Sequence, residues 1–440
     1  MYVAVDDTDS VSGGCTTFLA TEIISELCRD MDMIGYPRIV RLNPAVPWKT
    51  RGNGALAMRF GKGRGERILA GSIAGEDVFC YGGAAPGEPD ATLLLERLAP
   101  IVERNSEPGS DAGLLVSGRK PPQSLYWRGV RTILGKGHVD GEVERTGALK
   151  REWGCGRGII GAACGMAWRP RDSTLEVLAY RHRERWGTER GFDPLSIRDV
   201  DRALPSTFNS WEERTGKVAM VPSTPCPVLY GLRGDDARDL MRGKDMIRCE
   251  PVERWMTFLT NQGTDDHISS RFPGLAPNRS YYVEGKVAGG GRAAGGHAFM
   301  ELDTSWGALT VGAYEPSKEF RYLFDNLSPG DVVGVMGELR DEPRTLNAEK
   351  VRVISVADRY DKVSNPSCPG CGRAMESVGR GKGYRCRGCR ESAPAPVVRK
   401  AARWVREGWY EPPEAARRHL SKPLRRMGEE QPLGFVKRRI

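Results

Sequence analysis

The sequence predicts an α+β protein of several domains that ends in an OB-type β-barrel and a zinc ribbon. Three observations support this prediction. An apolar run at residues 2–5 is followed by an acidic turn and then by a helical pattern. About five alternating segments between residues 281 and 356 predict the strands of a barrel, and two Cys-x2-Cys pairs follow them. A chain of 440 residues has room for about three or four domains.

The most informative segment is the acidic turn Asp6-Asp7-Thr8-Asp9. The preceding β-branched run favours a buried strand, so three carboxylates fall at a strand's carboxyl end, where α/β sheets bind ligands. Oxygen ligands of this kind select a hard divalent cation, and protein-bound Mg²⁺ normally also binds substrate phosphates. We therefore predict that Asp6, Asp7 and Asp9 bind Mg²⁺. The alternative is a solvated acidic turn that caps a helix.

Two threonines stand where the next helical pattern begins. Apolar residues recur three to five positions apart over residues 18–28, so Thr16 or Thr17 is predicted to be the N-cap. A hydroxyl at that position lies among free backbone N–H groups, where anions are favoured. A phosphate there, facing a metal at the acidic turn, would suit phosphoryl transfer. The alternative is capping alone.

A basic loop spans residues 41–55 and contains two prolines and a Gly-x-Gly pair. The prolines stiffen a loop that presents Lys49 and Arg51, and Gly52 and Gly54 allow backbone to approach a ligand closely. The loop is predicted to clamp phosphate or RNA opposite the acidic turn, and the alternative is a hairpin turn with solvated charges. No Gly-x4-Gly-Lys-Ser/Thr P-loop and no protein-kinase signature occurs in the chain. A nucleotide-binding enzyme with this sequence would need its own phosphate site.

A glycine-rich segment at residues 156–161 has the formal Gly-x-Gly-x-x-Gly spacing of a dinucleotide site. No clear strand precedes it and no acidic residue follows at a suitable distance, so we reject that function. A turn into a helix of small residues, suited to phosphate binding or to close helix packing, is predicted instead.

The overall composition restricts the class of protein. The formal net charge is +9 and the pI is near 9.0, which favours a polyanionic partner. No apolar run approaches about 18 residues and no leader pattern begins the chain, so a soluble, cytoplasmic protein without a membrane partner is predicted. The 11 cysteines are expected to be thiols and metal ligands, not a disulfide framework.

The two cysteine pairs, Cys368 with Cys371 and Cys386 with Cys389, flank residues 372–385. This spacing predicts a structural Zn²⁺ site with four thiolate ligands and no open catalytic position. The ribbon is rich in basic side chains that are predicted to bind RNA, namely Arg373, Arg380, Lys382, Arg385 and Arg387. An OB barrel beside such a ribbon favours single-stranded or structured nucleic acid. An SH3-like barrel or a half-sandwich is the alternative for the strands.

The chain resembles the archaeal tRNA-Ile 2-agmatinylcytidine synthetases. The resemblance runs essentially end to end and lies in blocks that occur in order: residues 6–10, 15–17, 41–55, 156–162, 224–231, 368–389 and 416–424. It implies a kinase-like catalytic α/β domain, a ferredoxin-like domain, an OB fold and a zinc ribbon. The sequence departs from the family pattern at Asn209, where Asp is expected.

The resemblance also implies a reaction. ATP is consumed to AMP and phosphate, the C2 oxygen of the wobble cytidine (position 34) of tRNA-Ile with a CAU anticodon is phosphorylated, and agmatine displaces that phosphate. The implied cofactors are ATP, Mg²⁺ and Zn²⁺, and no protein partner is implied. Asp6, Asp7 and Asp9 match the catalytic aspartates, and Thr16 matches an autophosphorylated threonine. A carboxylate of the middle domain is expected to receive the guanidinium of agmatine, but the sequence singles none out.

Domain bounds and the remaining site residues follow from both arguments together. The predicted domains are residues 1–125 (catalytic, completed by part of 126–200), 126–272 (ferredoxin-like), 278–358 (OB fold), 364–394 (zinc ribbon) and 395–440 (basic tail). Predicted ATP or phosphate ligands are Thr8, Ser10, Thr17, Lys49, Arg51, Gly54, Arg157 and Gly158, and further RNA contacts are Arg417, Arg418 and Lys422. A non-catalytic RNA-binding protein and a small-molecule kinase remain alternative functions.

Overall fold

A 12-stranded sheet organises the N-terminal half of the chain. The computed structural model describes residues 1–10, 12–50, 52–87 and 89–435. The first elements are β1 (Tyr2–Asp6), α1 (Thr16–Leu27), β2 (Asp32–Ile34), β3 (Arg38–Arg41), β4 (Gly54–Gly61), β5 (Gly63–Ile73), β6 (Glu76–Ala84), α2 (Ala91–Asn105), β7 (Gly113–Ser117), α3 (Gln123–Arg131), α4 (Lys136–Arg145), β8 (Leu149–Glu152) and α5 (Gly158–Ala167). The predicted first strand and the helix after the acidic turn are confirmed.

Strand β1 lies inside the sheet, antiparallel to both β4 and β7. Its side chains alternate between two cores, as expected for a strand buried on both faces. Val3 and Val5 pack with α1 and α2, whereas Ala4 packs with α5. The acidic turn therefore leaves the sheet between α1 on one face and α5 on the other.

The middle of the chain extends the same sheet. Its elements are β9 (Thr174–Arg181), α6 (Pro194–Ala203), β10 (Thr207–Phe208), β11 (Trp211–Glu212), β12 (Lys217–Val218), β13 (Val228–Gly234), α7 (Ala237–Met246) and β14 (Val252–Thr260). Strand β14 pairs with β9 and also with β5 and β3. Strand β8 pairs with β7, and α5 packs on β1, so residues 126–167 lie against the first half of the sheet. The residue at which the two domains divide stays a prediction.

Five strands after the sheet close into a barrel. The elements are β15 (Ile268–Ser269), β16 (Arg279–Arg292), β17 (Ala298–Thr304), β18 (Gly307–Ala313), α8 (Arg321–Asn326), β19 (Val332–Arg340) and β20 (Thr345–Ser355). The order is β16-β17-β18-β20-β19, and β19 pairs back to β16. The five strands predicted between residues 281 and 356 are thus confirmed, and their inward side chains form a core of their own.

The zinc ribbon is an insertion in a hairpin. The last elements are β21 (Tyr360–Ser364), β22 (Glu376–Ser377), β23 (Tyr384–Arg385), β24 (Ser392–Ala393), β25 (Val397–Lys400), β26 (Gly408–Tyr410) and α9 (Leu424–Met427). Strand β21 pairs with β25, so the ribbon leaves and returns at adjacent points, and β26 joins the barrel through β20. None of the helices in the described ranges has the length and apolarity needed to span a bilayer.

The chain after β26 returns to the 12-stranded sheet instead of extending as a tail. The N–H groups of Gly263 and Asp265 donate to the carbonyls of His419 and Leu420, both at 2.8 Å. Leu420 is 2% exposed and belongs to the core beneath α5. The predicted basic tail of residues 395–440 is therefore structural over much of its described length.

This arrangement predicts different results for two deletions. Excision of residues 365–396, with Ser364 joined to Val397 by a short Gly-Ser linker, should leave the rest folded because those two residues already face each other across the hairpin. Truncation after Tyr410 should lower the free energy of unfolding, with loss of Leu420 alone costing about 2–5 kcal/mol. Denaturant unfolding monitored by circular dichroism measures both, and equal stability of the two variants would contradict the structural role of the returning segment.

Candidate functional site

A cavity of about 550 Å³ lies at the carboxyl end of β1. The acidic turn and the start of α1 form one side, through Asp6, Asp7, Asp9, Thr16 and Thr17. The basic loop, the start of α5, the middle strands and the returning C-terminal segment form the others. The structure thus brings together residues from both ends of the sequence, from Asp6 to His419.

Helix α5 sits unusually close to Asp6. A Cβ atom on Gly161 would lie 1.6 Å from Asp6 Oδ2, and one on Gly158 would lie 2.5 Å from the Asp6 carbonyl oxygen. Only glycine at these positions allows the helix to cover the carboxylate. The resulting desolvation, together with Asp7 and Asp9, raises the pKa of Asp6 to about 8. The surroundings of Asp6 therefore favour a proton or a cation on its carboxylate.

Asp7 has a strained backbone and a cationic neighbour. Its φ of 56° lies in the left-handed region, which a non-glycine residue adopts at a cost. Arg157 Nε lies 3.8 Å from Asp7 Oδ2, and the same guanidinium donates to Asp111. Desolvation raises the pKa of Asp7, and Arg157 opposes this shift. Arg157 was predicted as a phosphate ligand, and the structure places it beside the acidic turn with Asp111 as its anchor.

The two threonine positions differ from the prediction. Cys15 is the N-cap and makes no side-chain cap bond, so Thr16 and Thr17 are the first two helical residues and the predicted capping role is wrong. Thr8 donates its hydroxyl to Thr16 Oγ1 at 3.0 Å, and both side chains are buried. Thr8 therefore orients the Thr16 hydroxyl toward the start of the helix, where a phosphate would be favoured.

The basic loop forms a second side of the cavity. Lys49 lines it, is exposed at its edge and donates to the Pro44 carbonyl, and partial desolvation together with the nearby charge of Arg418 lowers the pKa of Lys49. Trp48 also lines the cavity, is 52% exposed, and has the Arg157 guanidinium 5.7 Å from its ring centroid. Ser10 lies in the acidic turn, and Arg51 lies outside the described residues.

Gly52 and Gly54 make room for a side chain that the sequence analysis did not single out. A Cβ atom on Gly52 or Gly54 would lie 2.6 or 2.9 Å from Arg41 Nη1. These glycines were predicted to admit a ligand, but they admit the Arg41 guanidinium. Arg41 Nε is buried and has no hydrogen-bond partner among the described residues. An unpaired guanidinium facing a cavity is a strong candidate for an anion ligand.

Three more lining residues come from distant parts of the chain. Glu176 is 1% exposed and accepts from Arg233 Nε at 2.8 Å and from the Gln262 amide. His419 opens onto the cavity but is enclosed by its walls. That enclosure and the cations Arg41, Arg233 and Lys49 lower the pKa of His419 well below its ordinary value. The imidazole is thus neutral and leaves the positive charge of this wall to the arginines.

The predicted zinc ligands converge. The four sulfur atoms of Cys368, Cys371, Cys386 and Cys389 lie within 4.8 Å of one another. The Cys371 and Cys386 sulfurs are 3.6 Å apart, which fits a tetrahedral Zn²⁺ with bonds of ~2.3 Å. The five basic ribbon residues predicted to bind RNA are all exposed, and Arg387 pairs with Glu376 at 2.6 Å.

The remaining predicted RNA contacts lie in internal ion pairs. Arg417 donates to Asn209 and pairs with Glu411 and Glu414 at 2.9 and 3.0 Å. Arg418 pairs with Glu338 and Glu349 of the barrel, and Lys422 pairs with Asp172 at 2.8 Å. These charges hold the returning segment in place, because each already faces a protein carboxylate. Their assignment to RNA stays a prediction that these contacts do not support.

Comparison with known proteins points in one direction. Models described as the TiaS TCKD domain, the TiaS FLD domain and the TiaS C-terminal zinc ribbon domain match residues 2–155, 156–267 and 365–405. The chain is 38% identical to the tRNA-Ile 2-agmatinylcytidine synthetase TiaS of Archaeoglobus fulgidus, over 98% of both chains. It is 32% identical to that of Methanocaldococcus jannaschii, over 96% of this chain and 98% of the relative.

Two solved structures agree with these relatives. The crystal structure of a TiaS complex with tRNA-Ile and ATP matches with a TM-score of 0.85 and 34% identity, covering 99% of each chain. That of a TiaS complex with tRNA-Ile, AMPCPP and agmatine matches with a TM-score of 0.83 and 32% identity, again covering 99% of each.

The contact between α5 and Asp6 predicts a sharp effect of one methyl group. Gly161→Ala should destabilise the protein and abolish turnover, because the added Cβ overlaps Asp6 Oδ2. Gly141→Ala is the matched control: a Cβ there meets nothing within 4 Å, and alanine favours the helix α4 by about 1 kcal/mol. Thermal unfolding and turnover are measured for both variants. Full activity of Gly161→Ala would contradict the close packing.

Proposed function

We infer that this chain, which belongs to the TiaS family, is an ATP-dependent tRNA-Ile 2-agmatinylcytidine synthetase. Its substrates are tRNA-Ile, agmatine and ATP, the molecules present in the complexes of its relatives. The observation on this chain that supports the inference most is the cavity, in which three carboxylates and Thr16 face a wall of arginines. Such a pairing of acidic and basic sides suits the transfer of phosphoryl groups.

We also propose a fold for each of the domains. The strand order of the closed barrel, with α8 between its third and fourth strands, supports the proposal that it is an OB fold. Residues 1–125, completed by the helices that pack on β1, would form the kinase-like catalytic domain. Strands β9, β13 and β14 with α6 and α7 would form the ferredoxin-like domain. The family boundary at residue 155 lies further along the chain than the one predicted from the sequence.

The acidic turn would hold Mg²⁺ through Asp6, Asp7 and Asp9. The fit rests on a donor set of carboxylate oxygens and on a raised pKa at Asp6, which a bound cation would reverse. The three carboxylates do not converge within the 4.8 Å that encloses the four cysteine sulfurs, so the proposal rests on donor chemistry and not on a preformed geometry. A metal there supplies charge neutralisation for phosphate oxygens. Arg157 keeps Asp7 oriented from the opposite side, and Arg41, Lys49 and the first N–H groups of α1 remain to hold the phosphates of ATP.

The reaction requires two displacements. Phosphorylation converts the cytidine C2 oxygen into a good leaving group, and the primary amine of agmatine then forms the C–N bond as phosphate leaves. Formation of AMP requires that both terminal phosphoryl groups leave ATP: one passes to the cytidine C2 oxygen and is released as phosphate when the amine attacks, and the other passes to water, directly or by way of Thr16. A small-molecule kinase would instead form ADP.

Agmatine needs acceptors for its guanidinium. Among the described residues that line the cavity, Glu176 is the one carboxylate from the middle strands, and Arg233 and Gln262 already occupy it. The expected free carboxylate is therefore not found there. The loop at residues 219–224 also lines the cavity, and we assign the guanidinium to its carbonyl oxygens other than those of Met220, Pro222 and Thr224, which already accept from the Gly231 N–H and from Arg190.

One assay tests the activity and the acidic site together. Labelled ATP, agmatine and a tRNA-Ile transcript should yield AMP and a mass increase on the cytidine at position 34. Asp7→Asn should reduce turnover by orders of magnitude, since a charge needed by the metal is lost, while tRNA affinity stays near normal. Asp77→Asn, on an exposed strand end, is the control. Wild-type turnover by Asp7→Asn would reject the metal assignment, and ADP as product would reject the reaction.

The Thr16 hydroxyl can be tested by labelling of the protein itself. Incubation with ATP that is labelled at its γ- and β-phosphates should label the wild-type protein. Thr16→Ser should be labelled more weakly, because it keeps a hydroxyl. Thr16→Ala should remain unlabelled. Thr8→Ala should reduce labelling, because the hydrogen bond that orients Thr16 is lost. Labelling that persists in Thr16→Ala would move the acceptor to another residue, with Thr17 the nearest hydroxyl on the helix.

A further inference from the structure

A second charged site lies at the other end of α5, outside the cavity. Four cations meet around the C-terminal end of the helix, and we call them the C-terminal cluster: Arg38, Arg59, Lys120 and Arg169. Helix α5 has 10 residues, so this end is ~15 Å from the acidic turn at its beginning. Neither the cavity nor the proposed reaction uses these residues.

The cluster is held in place by backbone oxygens. Arg38 and Lys120 both donate to the Trp168 carbonyl, at 3.0 and 3.1 Å. Arg169 donates to the carbonyls of Pro121 and Ala167, both at 3.0 Å. The positions of these cations are thus fixed before any ligand binds, which reduces the entropy lost on binding.

The phenol ring of Tyr2 connects Arg59, the fourth member, to Lys120. Arg59 and Lys120 each lie 5.3 Å from its centroid. Tyr2 pairs with Arg59 across β1 and β4, so both side chains leave the same face of the sheet. Arg59 and Arg169 are exposed, so a large ligand can reach them.

The positive charge of the cluster is not neutralised within the protein. No carboxylate in the described part of the chain lies within ion-pair distance of any of the four cations, whereas most other arginines with fixed positions have one. Burial and the three neighbouring arginines lower the pKa of Lys120 to about 7. Capping of α5 could use a cation, but a helix end carries only about half a negative charge. The three arginines, which stay charged, already exceed what capping requires.

We propose that the C-terminal cluster binds phosphate groups of the tRNA backbone while the wobble nucleotide occupies the cavity. The proposal rests on the proposed function for the identity of the RNA. Arginine forks match phosphate oxygens, and a strand of RNA offers one phosphate per nucleotide, so one tRNA can span ~15 Å between the two sites. The contact would position the RNA without reading its sequence.

Affinity and its salt dependence provide the first test. Arg59→Gln/Arg169→Gln should weaken binding of tRNA-Ile roughly tenfold and reduce the slope of log K against log salt by about 1.4–1.8, as expected for two lost phosphate contacts. Arg64→Gln/Arg104→Gln removes the same charge from exposed positions and should change affinity by less than about twofold. Arg59→Lys/Arg169→Lys should keep most of the slope. Circular dichroism and ATP affinity confirm that each variant is folded.

Protection from acylation provides the second test, on the wild-type protein. Lys120 should react rapidly with acetic anhydride near pH 7 because its amine is partly neutral, and peptide mass spectrometry follows its modification. Bound tRNA-Ile should protect Lys120, while ATP should not. Inorganic phosphate at the same concentration as the tRNA should not protect Lys120. This control distinguishes a contact with the RNA backbone from a site for free phosphate.

Either test can overturn the proposal. Unchanged tRNA affinity and salt slope in the Gln double variant, or unprotected Lys120 in the complex, would reduce the cluster to a cap on α5. Protection by inorganic phosphate alone would assign the cluster to the free ion. Both tests measure binding without turnover. If the wild-type protein binds tRNA-Ile but forms no agmatinylcytidine, the proposed function is rejected. The two binding tests would still decide whether the C-terminal cluster contacts the RNA.

Discussion

The close packing of α5 against the end of β1 is the constraint on which the site depends. Gly158 and Gly161 bring the helix into contact with Asp6, and a Cβ on Gly113 would in turn lie 2.3 Å from the Ile159 nitrogen. Without this approach the acidic turn would be an exposed loop, burial would not raise the pKa of Asp6 and Asp7, and a cation would gain little from binding there. The same contact fixes the N-terminal end of α5, and with it Arg157. The glycine spacing that resembles a dinucleotide motif is therefore explained by packing.

The second constraint is the return of the C-terminal segment. Lys350 is fully buried in the barrel, and its ammonium group donates to Asp265 at 2.8 Å and to the Lys422 carbonyl at 2.6 Å. Burial of an unpaired ammonium group would cost several kcal/mol, so the sheet loop, the barrel and the returning segment must assemble together. His419 is delivered to the cavity by this assembly. Loss of the segment would thus change the cavity wall as well as the stability, whereas the zinc ribbon stands outside the network.

How much the sequence predicts depends on whether a signal is local. The strand and helix around the acidic turn, the barrel strands and the zinc ligands follow from patterns within one segment, and the structure confirms them. Arg41, Glu176, Arg233 and His419 give no local signal, because their role arises only when four distant segments meet. Gly52 and Gly54 are an intermediate case. The sequence indicated that another group approaches the backbone closely at these glycines, but it did not show that this group is the side chain of Arg41. The strand β8 before the glycine-rich turn was missed because it is short and polar.

Basic residues are the hardest to assign from sequence, and the reason is electrostatic. Arg417 and Arg418 look like an RNA-binding pair, yet each faces carboxylates that neutralise it within the protein. Arg38 and Arg169 are far apart in the sequence and show no pattern, yet they meet where no described carboxylate opposes them. A cation that is already paired gains little by exchanging one anion for another, whereas a fixed and unpaired cation loses little on binding phosphate. The distinction depends on the neighbours of each charge, so it follows from the fold and cannot be deduced from the distribution of lysine and arginine along the chain.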